Sequence, residues 1–193
     1  APLALLTADT LMDFADGFSS RFASPAGEWA LGDGRARLVW SGLTGESTGN
    51  LKSLQGRYAM KSPGLTLTGT DERQQSVEMA IGALTVDGHT DPTPSLLSAP
   101  GKVRVLMSSM RMATRSPDGQ PVTISFSDLT GESNTTRNGD LLDIRTTFDG
   151  KGQIDKWKID RIEMVEQWKR LHAPSFDQMI RHRTSGATTR AVE

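Results

Sequence analysis

Two glutamates occupy the same place in a repeated phrase: Leu43-Thr44-Gly45-Glu46-Ser47 returns as Leu129-Thr130-Gly131-Glu132-Ser133. Two carboxylates brought face to face could share acid and base work. A copied phrase is also what structural punctuation leaves behind, a polar end closing a bulged strand, and repetition favours that reading. The three histidines, His89, His172 and His182, are not paired with one another at i+2, i+3 or i+4. A mixed site of His172, Asp177 and His182 would leave zinc short of a ligand. The many serines allow a Ser–His–Asp triad formally, yet no Gly-x-Ser-x-Gly elbow is expected among them, there is no Ser-x-x-Lys, and there is no phosphate loop, since Gly101-Lys102 and Gly150-Lys151 lack the rest of that motif. No catalytic residue and no cofactor is assigned.

Met107, Met110 and Met112, with Met79 on a neighbouring strand, are the one candidate metal set, because clustered thioethers select Cu(I). Against it, methionine fills irregular gaps in a bent sheet, and neither histidine nor cysteine lies beside the cluster. Basic residues gather toward the C-terminal end, where Lys156, Trp157, Lys158 and Trp168 are the candidate interaction residues. Lys156, Lys158 and Asp160 on one face, with Trp157 and Ile159 on the other, read as a solvated sheet edge, and weak contact with anionic lipid is a further use.

Composition excludes several classes. The absence of cysteine removes disulfides, thiolate chemistry and Cys-ligated clusters. A net charge of -1, from 22 basic and 23 acidic residues, supplies no global field for nucleic acid, and 6% aromatics supply no stacking platform. No run approaches the roughly 18 apolar residues that a membrane-spanning helix needs.

The elements that would position these side chains are mostly strands. Leu11, Phe14, Phe18 and Phe22 predict an N-terminal amphipathic helix over about 8–22. Then come short strands punctuated by Gly32-Asp33-Gly34, Asn50, Ser62-Pro63-Gly64, Asp87-Gly88, Ser116-Pro117-Asp118-Gly119, Asn138-Gly139 and Asp149-Gly150. Inside them one rhythm recurs: two alternating apolar residues, a gap of three, and two more. Met79, Ile81, Leu84, Val86 show it, as do Val105, Met107, Met110, Met112 and Trp157, Ile159, Ile162, Met164. Leu38, Trp40, Leu43 and Ile124, Phe126, Leu129 are shorter versions. Strict alternation keeps one face apolar, so a slip of one residue inserts a bulge or moves the apolar set to the other face. After Met164, Val165, Trp168 and Leu171 predict a short helix or turn, and a C-terminal helix follows over about 174–183.

The expected fold is α+β and β-dominant: a curved antiparallel meander of about eight to ten strands in one domain, 1–193. It contains repeat units of about 28–90 and 102–164 and is flanked by the two terminal helices, with its concave or helix-covered side apolar.

Pro121-Val122-Thr123-Ile124 through Ser133, then Asn138-Gly139-Asp140-Leu141-Leu142, a strand, and the helix carrying Phe176-Asp177-Gln178-Met179 resemble the YdgA-like family of bacterial proteins of unknown function. The resemblance spans about residues 36–183. It implies a periplasmic or membrane-tethered β-rich envelope protein and offers no catalytic residues. Such proteins carry an N-terminal anchor that this chain does not show, so an excised soluble part is expected. The functional expectation is a non-catalytic envelope module that holds a partner protein. The alternative is a carrier of a lipid or other hydrophobic ligand on the concave sheet face, and an enzyme is a distant third. Whether the protein's own helices fill the apolar side discriminates the first two.

Overall fold

The structure is a computed structural model that describes residues 6–32, 34–70, 75–115 and 119–189, with side chains given through residue 181. Among the described residues thirteen strands form one antiparallel sheet. Its logic shows in the long strands: β10 (Gly101–Arg115), β11 (Pro121–Asn138), β12 (Leu141–Ile154) and β13 (Trp157–His172) follow one another as a meander. On the other side of β10 the chain does the same in halves. β9 (Leu84–Thr90) pairs with the first part of β10 and β8 (Ser76–Ile81) with the last part. β6 (Gln55–Ser62), β5 (Leu43–Asn50), β2 (Gly17–Ser24) and β1 (Thr7–Met12) extend the sheet beyond β9. β7 (Leu65–Thr70), β4 (Ala36–Trp40) and β3 (Gly27–Leu31) extend it beyond β8. β2 with β3, β4 with β5, β6 with β7 and β8 with β9 are thus interrupted runs, and with the five unbroken strands they make nine.

The interruptions fall on one line, which we term the seam. Ser41 N donates to Gly64 O at 3.1 Å, and Ser62 Oγ to Gly42 O at 2.8 Å. Gly82 N donates to Ser109 O and Ser108 N to Ala83 O, both at 2.8 Å. Farther on, β11 slips against β12 between Ser127 and Thr130, and β13 slips against β12 opposite Gly150 and Gly152. Backbone geometry follows: Gly42 has φ 94° and Asp128 has φ 54°, a left-handed conformation that permits the turn or bulge. The recurring gap of three in the apolar pattern is this line read in sequence.

Several expectations need correction. Residues 8–22 are not a helix but the β1–β2 hairpin. Phe18 and Phe22 stand four apart, a spacing that fits both the helical period and alternate positions of a strand. The turn chemistry decides: Asp13 Oδ1 accepts the amides of Ala15 and Gly17 at 2.8 Å, and Asp16 takes φ 61°. Leu11 and Phe14, expected on the apolar face of that helix, are exposed. Val165, Trp168 and Leu171 belong to β13, where Val165 and Trp168 face opposite sides of the sheet and the step from Trp168 to Leu171 spans a bulge at Arg170 (φ 58°), with the Arg170 amide held by Asp143 Oδ1 at 2.7 Å. The helix α1 begins at Ala173 and ends at Thr189, and is the one helix among the described residues. Asp87-Gly88 and Asp149-Gly150 lie inside β9 and β12 rather than between strands. Asp33, Ser116-Pro117-Asp118 and the His182 side chain lie outside the described residues.

Deep burial is local. Leu142, Ala173, Thr93 and Ser98 are enclosed at one end of the sheet, where the segment 91–100 folds back and Thr93 N meets Ser53 O at 2.9 Å. Leu129 and Ser62 are buried at the seam. The chain exposes 13593 Å², whereas a compact monomer of 20.9 kDa exposes about 9000 Å². The sheet is open.

Candidate functional site

The residues with the most chemistry do not converge. Glu46 and Glu132 lie in one cross-strand row, Glu46–Ala59–Asp87–Arg104–Glu132, which places them four strands apart, about 19 Å at ordinary strand spacing. Paired carboxylates in glycoside hydrolysis stand within about 10 Å of each other, so these two do not act together. Glu132 instead takes an ion pair from Lys102 at 2.9 Å. His89 stands on β9, 4.0 Å from Asp91, and His172 ends β13 with its Nδ1 2.8 Å from Ser175 Oγ. Among the described residues no group of three or more His, Cys, Asp or Glu could hold a metal ion.

The expectation that the serines offer no nucleophile elbow needs correction, since Gly45-Glu46-Ser47-Thr48-Gly49 has its spacing. An elbow needs a sharp strand-to-helix turn that lifts the serine out of the sheet. Ser47 sits in the middle of β5, paired with Ser20 on one side and Tyr58 on the other. Neither neighbour is a base, so the motif is structural here.

Registers assign a face to every side chain, and the two faces differ. On one face, charged residues stand upright in rows, including Arg21, Glu46, Arg57, Asp87, His89 and Lys102. Between them lie two depressions, of about 570 Å³ over β5, β6 and β9 and about 430 Å³ over β2, β5 and β6. Acid and base are mixed in both.

The opposite face is apolar and unbroken. Nearest the seam on the β9 side run Leu43, Leu84, Met107, Leu129 and Ile162, and then Phe22, Met60, Val86, Val105, Phe148 and Met164. Beyond the seam run Trp40, Leu65, Ile81, Met110, Phe126 and Ile159, and then Leu38, Leu67, Met79, Met112, Ile124 and Trp157. The two sides share a face: Trp40 Nε1 donates to Ser24 Oγ at 3.2 Å, and Ile162 and Phe126 both lie over Gly152. These four rows hold no ionisable side chain. At ordinary spacings the band is about 34 Å long across eight runs and about 20 Å wide. Most of its side chains are half-buried and several, such as Trp157 and Met164, are exposed; among the described residues the one helix, α1, contacts β13, the last strand of the sheet.

Relief on this face is low because large side chains lie flat over glycines of the neighbouring strand. Phe22 covers Gly45, Leu129 covers Gly150 and, one row outside the band, Tyr58 covers Gly88. Burial, and after it the Asp87 carboxylate, raises the Tyr58 hydroxyl above its ordinary value. That outer row carries hydroxyls, Ser20, Ser47, Tyr58, Ser133 and Thr146, and ends in Glu166, which accepts the Trp168 Nε1–H at 2.7 Å.

The methionines join this band. Met112 stands opposite Met79, Met110 two residues along the same face, and Met107 past the seam. The four interaction candidates separate: Trp157 and Trp168 look out from the band face of β13, Lys156 lies 5.7 Å above the Trp157 ring, and Lys158 lines a small depression on the charged face with Lys151 and Gln153. Alternation marks the apolar positions in sequence. Which face stays uncovered has no signature, because it depends on what the helices leave undone.

A family model described as bacterial protein of unknown function (DUF945) matches residues 1–187. Neither a curated protein nor a solved structure matches the chain.

Proposed function

The chain belongs to DUF945, a bacterial family of unknown function, and from that premise we propose that it is a non-catalytic binder of an aliphatic amphiphile, held along the apolar band. The observation that carries this reading is the band itself: four rows without an ionisable group, partly open to water, on a sheet that exposes far more area than a compact chain of its mass. Large uncovered apolar patches mark binding surfaces. An aliphatic chain matches this one because it brings no charge to desolvate, and because flat-lying rings offer a smooth track rather than holes for a partner's side chains. The resemblance to the YdgA-like family supports a setting on the periplasmic side, in solution or tethered, where such amphiphiles are at hand.

The scaffold reading stands behind it. Its natural docking edge would be β13, which carries alternating charges and two register shifts, one of them the Arg170 bulge, and these discourage an added strand.

Isothermal titration with 1-monoacylglycerols of graded chain length, below their critical micelle concentrations, tests the proposal. Saturable binding should tighten with each added methylene by up to about 0.8 kcal/mol, and Val105→Asp, at the band's centre, should abolish it. An absence of saturable binding at every chain length would overturn the reading.

A further inference from the structure

Within the band, four of five glycines are occupied from above: Gly27 by Trp29, Gly45 by Phe22, Gly150 by Leu129, and Gly152 by Ile162 and Phe126. Gly131 differs. A Cβ built there would meet only the Val105 Cβ, at 3.8 Å, and open space otherwise. Its strand neighbours on that face are Leu129 and Ser133, and the residues across from it are Val105 and Phe148. The result is a notch that reaches the backbone near the middle of an otherwise level surface. One row farther on, the Ser133 and Thr146 hydroxyls lie 3.2 Å apart as a hydrogen-bonded pair. Past them stands Glu166, the carboxylate that ends this row.

We infer that the Gly131 notch is the specificity-determining seat of the amphiphile, with the aliphatic chain over Val105, Gly131 and Phe148 and an uncharged hydroxylated head group against Ser133 and Thr146. The inference rests on the proposed function and deepens it. The chemistry of the head group follows from the border. Two hydroxyls donate to and accept from an alcohol, whereas Glu166 repels a carboxylate or phosphate placed beside them. A glycerol-type head satisfies both conditions, and a fatty acid of equal chain length does not.

The test uses 1-monolauroylglycerol and lauric acid on the wild-type chain, Gly131→Val, the double variant Ser133→Ala with Thr146→Val, and Thr147→Val, which alters the opposite face and serves as control. Gly131 has no left-handed φ, and valine suits a strand, so the melting temperature of Gly131→Val should hold or rise. The expected result is at least tenfold weaker monoacylglycerol binding by Gly131→Val, unchanged binding by Thr147→Val, a wild-type preference for the glyceride over the acid, and loss of that preference in the double variant. If wild type binds and Gly131→Val binds equally, the seat is elsewhere and this inference fails while the function stands. Failure of the wild-type chain to bind either probe removes the function itself. Should Gly131→Val melt lower, Gly131→Ala replaces it, with at least a threefold loss expected and unchanged affinity counting against the seat.

Discussion

Gly45 and Gly131 hold the same position in the same pentapeptide and do different work. The first is a floor for the Phe22 ring, so a side chain there must displace an aromatic group and crowd the Ala59 carbonyl. Gly45→Val should therefore cost about 1–3 kcal/mol in urea unfolding, while Gly131→Val should cost nothing. Equal losses would show that both glycines serve the fold alone. Tyr58, raised by burial above the value it takes in the unfolded chain, holds its proton longer when folded. Its contribution to stability is present at neutral pH and is lost as pH rises from the ordinary tyrosine range through the raised folded value. Tyr58→Phe should therefore flatten the alkaline side of a melting-temperature profile relative to wild type; superimposable profiles would contradict it. Sequence reasoning finds the apolar members of such a face by alternation. It does not tell a glycine that ends a strand from one that supports a ring, which is why Asp87-Gly88 and Asp149-Gly150 read as breaks.

Among elements, the seam was the most legible and the ends were the least. Five stretches carry the gap of three, and each meets a break or bulge where the strands cross one line. The pattern is legible because one face must stay apolar on both sides of the line, which forces the extra residue into the sequence. At Asp128, the left-handed conformation absorbs that residue, and the side chain is tied to Lys151 Nζ at 2.8 Å. Asp128→Val would place a β-branched residue at φ 54°, and a loss of about 1–2 kcal/mol is expected; an unchanged unfolding midpoint would refute a strained seam. The first 25 residues misled because a spacing of four serves two periods, and the Asp13 turn outweighs it. Helix α1 tests the division of labour: since its contacts among the described residues are with the edge strand β13, truncation after Ala173 should lower the melting temperature by only a few degrees and leave glyceride affinity unchanged. Loss of affinity on truncation would place part of the site on the helix.

For the whole molecule, the balance of exposed area matters more than any single residue. An open antiparallel sheet commonly buries one face and solvates the other. Here one face carries mixed charges and the other an apolar band that no second layer covers among the described residues, and on the proposed function a ligand completes it. That conclusion was out of reach of the sequence, which marks apolar positions but not the layer that fails to cover them. Photocrosslinking tests it most directly. A monoacylglycerol with a diazirine in its acyl chain is bound to the intact protein, irradiated, and its adducts are mapped by mass spectrometry. Our account predicts adducts on band strands around Met60, Val86, Val105 and Phe148, competed away by unlabelled glyceride. Adducts on the charged face around Arg57, His89 and Lys102, or adducts that no competitor removes, would contradict it.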